Sequence, residues 1–304
     1  MTADDVVQLY TLQVEPEAQG TRVDIWLAQH VPELSRKASQ RLCDQARVRQ
    51  NGRLVKKSDQ VQGGADISYE LGDNDEALPA PDLPLLVVKE SPDFVVVNKS
   101  AGVPCAAVRG RNKGTLAGAL LARYPEMREV GFGPRDPGLV HRLDTFTSGL
   151  VVAARNQRCF TELRSSLQNR QWDKRYLAVV ASGILSDHGQ CLLPLAPDPK
   201  NERRVRVDER NGKPCTSTFT VFSRGAQLDL IEVRAQSAYR HQVRAHLAAL
   251  GAPLIGDITY GGPSFGLSPR HALHANYISA PIAGFGALTC DLPDDLRALL
   301  ESAV

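Results

Sequence analysis

A chain of 304 residues with 42% hydrophobic content is long enough for one large domain and a small one, and its composition excludes a disordered polymer. No apolar run reaches the roughly 20 residues that a membrane span needs, and Met1-Thr2-Ala3-Asp4-Asp5 is acidic where a secretory leader is basic, so a cytoplasmic protein with no membrane partner is expected. A net charge of +2 is silent about nucleic acid, because gripping phosphates takes clustered positive charge and not a mere surplus.

In chain order, Val23, Trp26, Leu27 and Val31 predict a short amphipathic helix. Ser35 can cap a second helix from about Arg36 to Ala46, in which Ala38, Leu42 and Ala46 recur at helical spacing. Val48-Arg49-Gln50 and Arg53-Leu54-Val55 flank Asn51-Gly52, a pair that tolerates positive φ and so predicts a hairpin. Asp66-Ile67-Ser68-Tyr69-Glu70-Leu71 alternates like an edge strand. Between Arg36 and Lys57 stand Arg36, Lys37, Arg41, Arg47, Arg49, Arg53, Lys56 and Lys57 against one acid, Asp44. A charge run taken alone reads as a solvated face. Joined to a helix and a hairpin, it points to phosphate.

This order, with Ser-Arg opening a basic helix and Val-x-x-Asn-Gly following, resembles the RNA-binding domain of the S-four type from about Thr21 to Leu71. In that family the basic helix and hairpin lie against the RNA backbone, which supplies affinity without sequence choice. The resemblance implies RNA contacts from Arg36, Lys37, Arg41, Arg49 and Arg53.

From Gly72 to Pro84 the chain turns acidic and proline-rich and reads as a linker. The expected division is an RNA-binding domain at 1–72, a linker at 73–84 and a catalytic domain at 85–304. Beyond the linker come apolar strands at Phe94–Val97, Leu150–Ala154 and Tyr176–Val180. Helices are predicted from Gln157 to Asn169, burying Phe160, Leu163 and Leu167, and from about Gln242 to Leu250, ended by Gly251. Strands and helices interleave without a β-α repeat, and no glycine-rich nucleotide fingerprint follows a strand, so the α+β class is expected over a doubly wound sheet. Six scattered cysteines (Cys43, Cys105, Cys159, Cys191, Cys215, Cys290) lack zinc-ligand spacing and read as reduced packing thiols.

Asp144 lies two residues after Arg142 and just before Thr147-Ser148-Gly149, a turn-forming triplet leading into an apolar strand. That places a carboxylate on a loop at the mouth of a strand, where catalytic groups concentrate, although an Asp near an Arg is more often a structural ion pair. The surrounding segments decide. His141-Arg142-Leu143-Asp144, completed by Thr147-Ser148-Gly149-Leu150, is the H-R-L-D-x-x-T-S-G-L signature of the RluA family of pseudouridine synthases, which this chain resembles. In order with it fall Asn98-Lys99-Ser100-Ala101-Gly102, Lys174-Arg175-Tyr176-Leu177-Ala178-Val179, His241-Gln242-Val243-Arg244-Ala245-His246, Gly256-Asp257 with Tyr260-Gly261, and His271-Ala272-Leu273-His274. Each string is weak alone, and the ordered set is highly specific.

The resemblance implies the pseudouridine synthase fold, a mixed, largely antiparallel sheet domain behind a small N-terminal α/β RNA-binding module. It also implies an isomerase that breaks the bond from uracil nitrogen to ribose, turns the base and rejoins it through carbon 5, with no cofactor and no metal. Asp144 would start the reaction, by attacking carbon 1′ or by removing the 2′ proton. Arg244 would pair with that carboxylate, and Tyr176 would stack on the uracil and help remove the carbon 5 proton. Arg142 would enter the base stack where the target nucleotide leaves it. His141 reads as structural.

Three departures from the family pattern bear on substrate choice: Ser100 in place of a proline, Ser237-Ala238-Tyr239-Arg240 in place of Thr-Gly-Arg-x, and Tyr277-Ile278-Ser279-Ala280-Pro281 in place of a Phe-x-His-Pro tail. The expected partner is RNA, large-subunit ribosomal RNA before transfer RNA, bound by a monomer. Two other readings compete: a non-catalytic RNA-binding or assembly protein retaining the fold, and a metal-dependent hydrolase using His141, Asp144, His241, His246, His271 and His274.

Overall fold

The computed structural model describes residues 8–31, 34, 36–71, 76–107, 112–235, 239–266 and 269–303. The N-terminal unit runs β1 (Gln8–Gln13), α1 (Val23–His30), α2 (Arg36–Asp44), β2 (Val48–Gln50), β3 (Arg53–Leu54) and β4 (Asp66–Leu71). Trp26, Leu27, Val48 and Ile67 form its core, each fully buried. The second helix ends at Asp44, two residues before the expected Ala46, because Ala46 takes a left-handed φ of 56° and the Arg47 N–H closes on the Leu42 carbonyl. Its expected cap, Ser35, lies outside the described residues. Asn51 and Gly52, at φ 49° and 78°, make the expected hairpin turn.

One expectation is corrected. Residues 66–71 do not form an edge: β4 pairs with β1 on one side and β2 on the other, in the order β1-β4-β2-β3. Its alternation reports one buried face, with Ile67 and Tyr69 inward, and an interior antiparallel strand with a solvated face shows the same pattern.

The larger unit runs β5 (Leu86–Glu90), β6 (Phe94–Lys99), α3 (Leu116–Arg123), β7 (Ser148–Ala154), α4 (Gln157–Gln168), β8 (Asp173–Ala181), β9 (His188–Cys191), β10 (Leu195–Asp198), β11 (Asn201–Val207), β12 (Ser217–Arg224), β13 (Leu228–Ala235), α5 (Gln242–Ala249), β14 (Leu273–Ser279), β15 (Ala287–Thr289) and α6 (Asp294–Glu301). Its main sheet has the order β5-β6-β7-β14-β8-β13-β12-β9, with β15 on β14, while β10 and β11 form a separate ribbon. All these pairings are antiparallel except β7 with β14, so the sheet is mixed and largely antiparallel, as expected.

The apolar run of β7 follows from its place. Val151 and Ala153 pack toward α3 with Leu116 and Leu120, whereas Leu150 and Val152 pack toward α4 with Phe160 and Leu163. Where β7 meets β14, a Cβ on Gly149 would lie 2.3 Å from the Ala275 carbonyl oxygen, so this close approach requires glycine. On the far half of the sheet Val243 and Leu247 of α5 pack against Val233 and Ala235.

The acidic, proline-rich stretch is partly bound to this unit. Residues 72–75 lie outside the described set, but the Ala77 N–H donates to the Pro134 carbonyl at 2.8 Å and the Ala80 N–H to that of Gly118 at 2.9 Å. Ala77 is fully buried in the core.

Candidate active site

The loop carrying Asp144 is fastened at nearly every residue before it enters β7. His141 is buried, and its Nε2 accepts the Val152 N–H at 3.1 Å, which leaves the ring proton on Nδ1. Burial, helped by the charges of Lys174 and Arg164, pushes its pKa down to about 3. The Leu143 N–H meets Cys105 Sγ at 3.3 Å, and the Thr147 N–H closes a turn on the Asp144 carbonyl at 3.1 Å. Thr147 Oγ1 lies 2.8 Å from His271 Nε2, and Ser148 Oγ 2.9 Å from His274 Nδ1.

Two buried cations complete the fastening. The Lys99 ammonium donates to the carbonyls of Ser100 (2.9 Å), Val103 (2.8 Å) and Thr145 (3.0 Å), and burial lowers its pKa to about 8. Arg270 donates to the carbonyls of Phe146 (3.1 Å) and Leu273 (3.0 Å), to Ser148 Oγ (3.2 Å) and to the Asp295 carboxylate (2.7 Å).

Asp144, with a quarter of its side chain exposed, faces a cleft of about 800 Å³ that Arg142, Tyr176, His241 and Arg244 also line. Arg244 Nη1 donates to Asp144 Oδ2 at 2.8 Å, while its Nε and Nη2 form a bidentate pair with Asp257, each at 2.8 Å. Burial opposes the charge on Arg244, but the Asp257 hydrogen bonds and the charges of Asp144 and Asp257 outweigh it and raise the pKa. Tyr260 lies beneath, its ring centroid 5.2 Å from the guanidinium carbon. The Tyr260 hydroxyl accepts the Val205 N–H at 2.9 Å and stands 3.1 Å from His241 Nδ1, and His241 Nε2 reaches to 3.6 Å from Asp144 Oδ1. Burial holds His241 at about 4, so its ring is neutral at pH 7.

Tyr176 opens onto the cleft from β8, where it pairs with Val233 of β13. Burial and then the charge of Asp144 push its phenol up to about 12. Arg142 projects with 64% of its side chain exposed, its nearest acid Asp136 at 3.9 Å. The cleft therefore brings together Asp144, Tyr176, Arg244 and Arg142. Of the departures near Arg244, Ser237 and Ala238 lie outside the described residues, and Tyr239 and Arg240 line the cleft.

Arg36, Arg41, Arg49 and Arg53 are exposed on α2 and the hairpin of the N-terminal unit, and Arg36 also pairs with the buried Asp24 at 3.3 Å. The side chain of Lys37 lies outside the described residues. Sequence reasoning assigned no role to Asp257, Lys99 or Arg270. Asp257 stood in the noted Gly-Asp-x-x-Tyr-Gly segment and Lys99 in Asn98-Lys99-Ser100-Ala101-Gly102, but Arg270 stood in none; Lys99 and Arg270 both bond main-chain carbonyls, which every residue possesses. The histidines proposed for a metal are engaged elsewhere, His246 by Ser217 Oγ and the Leu193 carbonyl, and no three candidate ligands gather among the described residues.

Comparison with known proteins agrees with this geometry. The family model described as RNA pseudouridylate synthase matches residues 93–249, and that of the S4 domain matches residues 21–67. An uncharacterized RNA pseudouridine synthase of Chloroflexus aurantiacus is 37% identical, over 95% of this chain and 92% of its own. The ribosomal large subunit pseudouridine synthase D of Nitrosomonas europaea is 33% identical, over 96% and 87%. The structure of human RNA pseudouridylate synthase domain containing 1 superposes with a TM-score of 0.56 at 26% identity, covering 73% of this chain and 89% of that one. With a cleft built on the signature loop, an S4 domain upstream and relatives aligned along nearly the whole length, the chain belongs to the RNA pseudouridylate synthase family and is an isomerase that acts on RNA.

Proposed function

We propose that this enzyme isomerises uridine in large-subunit ribosomal RNA, as a cytoplasmic monomer, with Asp144 as the initiating group. The observation that carries the reading is the Arg244 guanidinium, held in a fork by buried Asp257 and presenting its remaining edge to Asp144 at the wall of the cleft. A carboxylate so placed is oriented by a donor that is itself held at two points, which is the preorganisation that either route requires. In one route Asp144 bonds to carbon 1′ as the uracil leaves. In the other it takes the 2′ proton and a glycal forms. In both, the base turns within the cleft and carbon 5 bonds to carbon 1′, as the bond from Asp144 to carbon 1′ breaks in the first route and as the proton returns to carbon 2′ in the second; the carbon 5 proton then departs and uracil nitrogen 1 takes up a proton. Tyr176, beside Asp144 on β8, offers a face for the uracil and an oxygen near that proton. Arg142, with 64% of its side chain exposed, would take the place of the flipped nucleotide.

The ribosomal substrate is supported by the relative from Nitrosomonas europaea, named for the large ribosomal subunit. Residues 1–72 would supply the sequence-independent grip and 85–304 the chemistry. Mapping pseudouridines in ribosomal and transfer RNA of a deletion strain tests the substrate: at least one ribosomal site should vanish and return with the wild-type gene. Asp144→Asn should lower turnover by at least about 100-fold while retaining the fold and most RNA affinity. A complete map in the deletion strain, or full restoration by Asp144→Asn, overturns the assignment.

A further inference from the structure

At the lip of the cleft Phe132 keeps 70% of its surface in water, although it lines the same cavity as Arg142 and Asp144. A single exposed apolar side chain is ordinary on a protein surface; what sets Phe132 apart is its place in the wall of the cleft that holds Asp144. The ring is not loose. The buried Phe160 meets it at 4.9 Å in an edge-on arrangement of 81°, and Arg164 lies over it with the guanidinium carbon 5.3 Å from the centroid. Arg164 is itself fixed by a 2.8 Å bond from Nη1 to the Val140 carbonyl, one residue before His141 of the signature loop. Its Nε finds no acceptor and its charge no carboxylate within ion-pair reach among the described residues.

An aromatic ring braced by Phe160 and Arg164, whose guanidinium feels the charge of Asp136 but makes no ion pair among the described residues, has the features of a stacking platform for a base, with a cation close by for the adjoining phosphate. We propose that Phe132 stacks on the base of a nucleotide flanking the target uridine, and that Arg164 braces the ring and draws the RNA backbone to it. This rests on the reading of the cleft as the uridine site. Flipping a uridine out of its stack sacrifices stacking and pairing, and a new stack for its neighbour offsets part of that loss. Arg142, 64% exposed at the same lip, would then fill the gap while Phe132 holds the displaced neighbour.

The probe is large-subunit ribosomal RNA transcribed in vitro with 5-tritiated uridine, which loses tritium when carbon 5 bonds to ribose. Phe132→Ala should lower kcat/KM by about 5- to 100-fold, chiefly through KM. Phe132→Trp should recover most of the loss, and Phe132→Leu, with similar bulk but no π face, should behave like the alanine variant. Because most of the ring is exposed and it leaves no cavity, only its edge contact with Phe160 and the Arg164 contact are lost, so thermal unfolding should change little. Binding gives a readout independent of turnover: in the Asp144→Asn protein, Phe132→Ala should raise Kd for the same RNA without altering its salt dependence, since stacking releases no counterions. A Kd unchanged by Phe132→Ala, or rescued fully by Phe132→Leu, overturns the platform. Absence of tritium release from the wild-type enzyme would instead overturn the catalytic reading, and the binding comparison would still decide the platform.

Discussion

Arg41, Arg49, Arg53 and Lys56 of the N-terminal unit stand exposed, with no carboxylate in ion-pair reach among the described residues, whereas Lys99, Arg244 and Arg270 of the larger unit are each no more than 5% exposed. The first group needs no fixed geometry to attract phosphate, since its effect works through released counterions and falls with salt. The second group carries a desolvation cost of several kcal/mol per charge, and it is tolerated because every donor nitrogen has an acceptor. Donors so engaged in turn fix their acceptors. Lys99 and Arg270 grip the carbonyls of Thr145 and Phe146, the two residues after Asp144, and Arg244 grips Asp144 itself. On the proposed reading one unit would use its cations to gather RNA, whereas the other uses them to hold a carboxylate still.

The largest effect should come from breaking a buried partnership. Asp257→Asn leaves the Arg244 guanidinium buried with only Asp144 as a charged partner. Removing one partner of a buried pair costs about 3–5 kcal/mol, read as a lower urea midpoint. Turnover should fall with it, because the released guanidinium can swing toward Asp144 and alter the angle of its carboxylate. A variant with a wild-type midpoint would show that Asp257 does not hold Arg244.

Acid should separate the two units at an intermediate scale. Burial holds His141 at about 3 and His241, His271 and His274 at about 4, against 6.5 in the unfolded chain. Between those limits the unfolded state binds more protons, so the stability these groups carry is present above about 6.5 and lost as pH falls through about 4. In the N-terminal unit the controlling group is Asp24, held well below the usual carboxylate range by the Arg22 hydrogen bond, with Gln40 and Arg36 assisting. Its contribution stays intact until pH drops below about 3.8. The two tryptophans report separately, Trp26 packed in the first core and Trp172 edge-on to His141 in the second. In single-tryptophan variants the emission maximum of Trp172 should shift red at a higher pH than that of Trp26. Coincident transitions would contradict the difference.

These buried groups also mark where sequence reading stopped. Asp144, Tyr176 and Arg244 were legible because their spacing follows a family signature, and α1, the hairpin and β7 because apolar periodicity and turn chemistry are local. The strand β1 was not, since Gln8–Gln13 offers little beyond Leu9, Tyr10 and Leu12, and its evidence is the partner strand, with Leu12 opposite Ile67. Missing it made β4 look like an edge. Phe132 carried no signal either, because its meaning lies in exposure at a cleft lip, which no run of letters records. Asp24 is similar: an acid on a short helix reads as solvated until Arg22, Arg36 and Gln40 are seen to close over it.

The smallest structural effect with a clear functional one belongs to the exposed cations. Replacing Arg41, Arg49 and Arg53 together by glutamine removes three charges that no carboxylate neutralises among the described residues. Stability should stay within about 0.5 kcal/mol per site, as for exposed positions away from special contacts. RNA affinity should fall, and the slope of log Kd against log salt should shrink by about 2 to 3, since each phosphate contact contributes about 0.7 to 0.9. Turnover at saturating RNA should be preserved, because none of the three lines the cleft. Arg36→Gln provides the internal control: its guanidinium also satisfies buried Asp24, so it should weaken the fold and the grip together, whereas the triple variant weakens only the grip. An unchanged salt slope in the triple variant would mean that these cations are solvated and touch no phosphate, and the division of labour between the two units would have to be redrawn around Arg142 and Arg164.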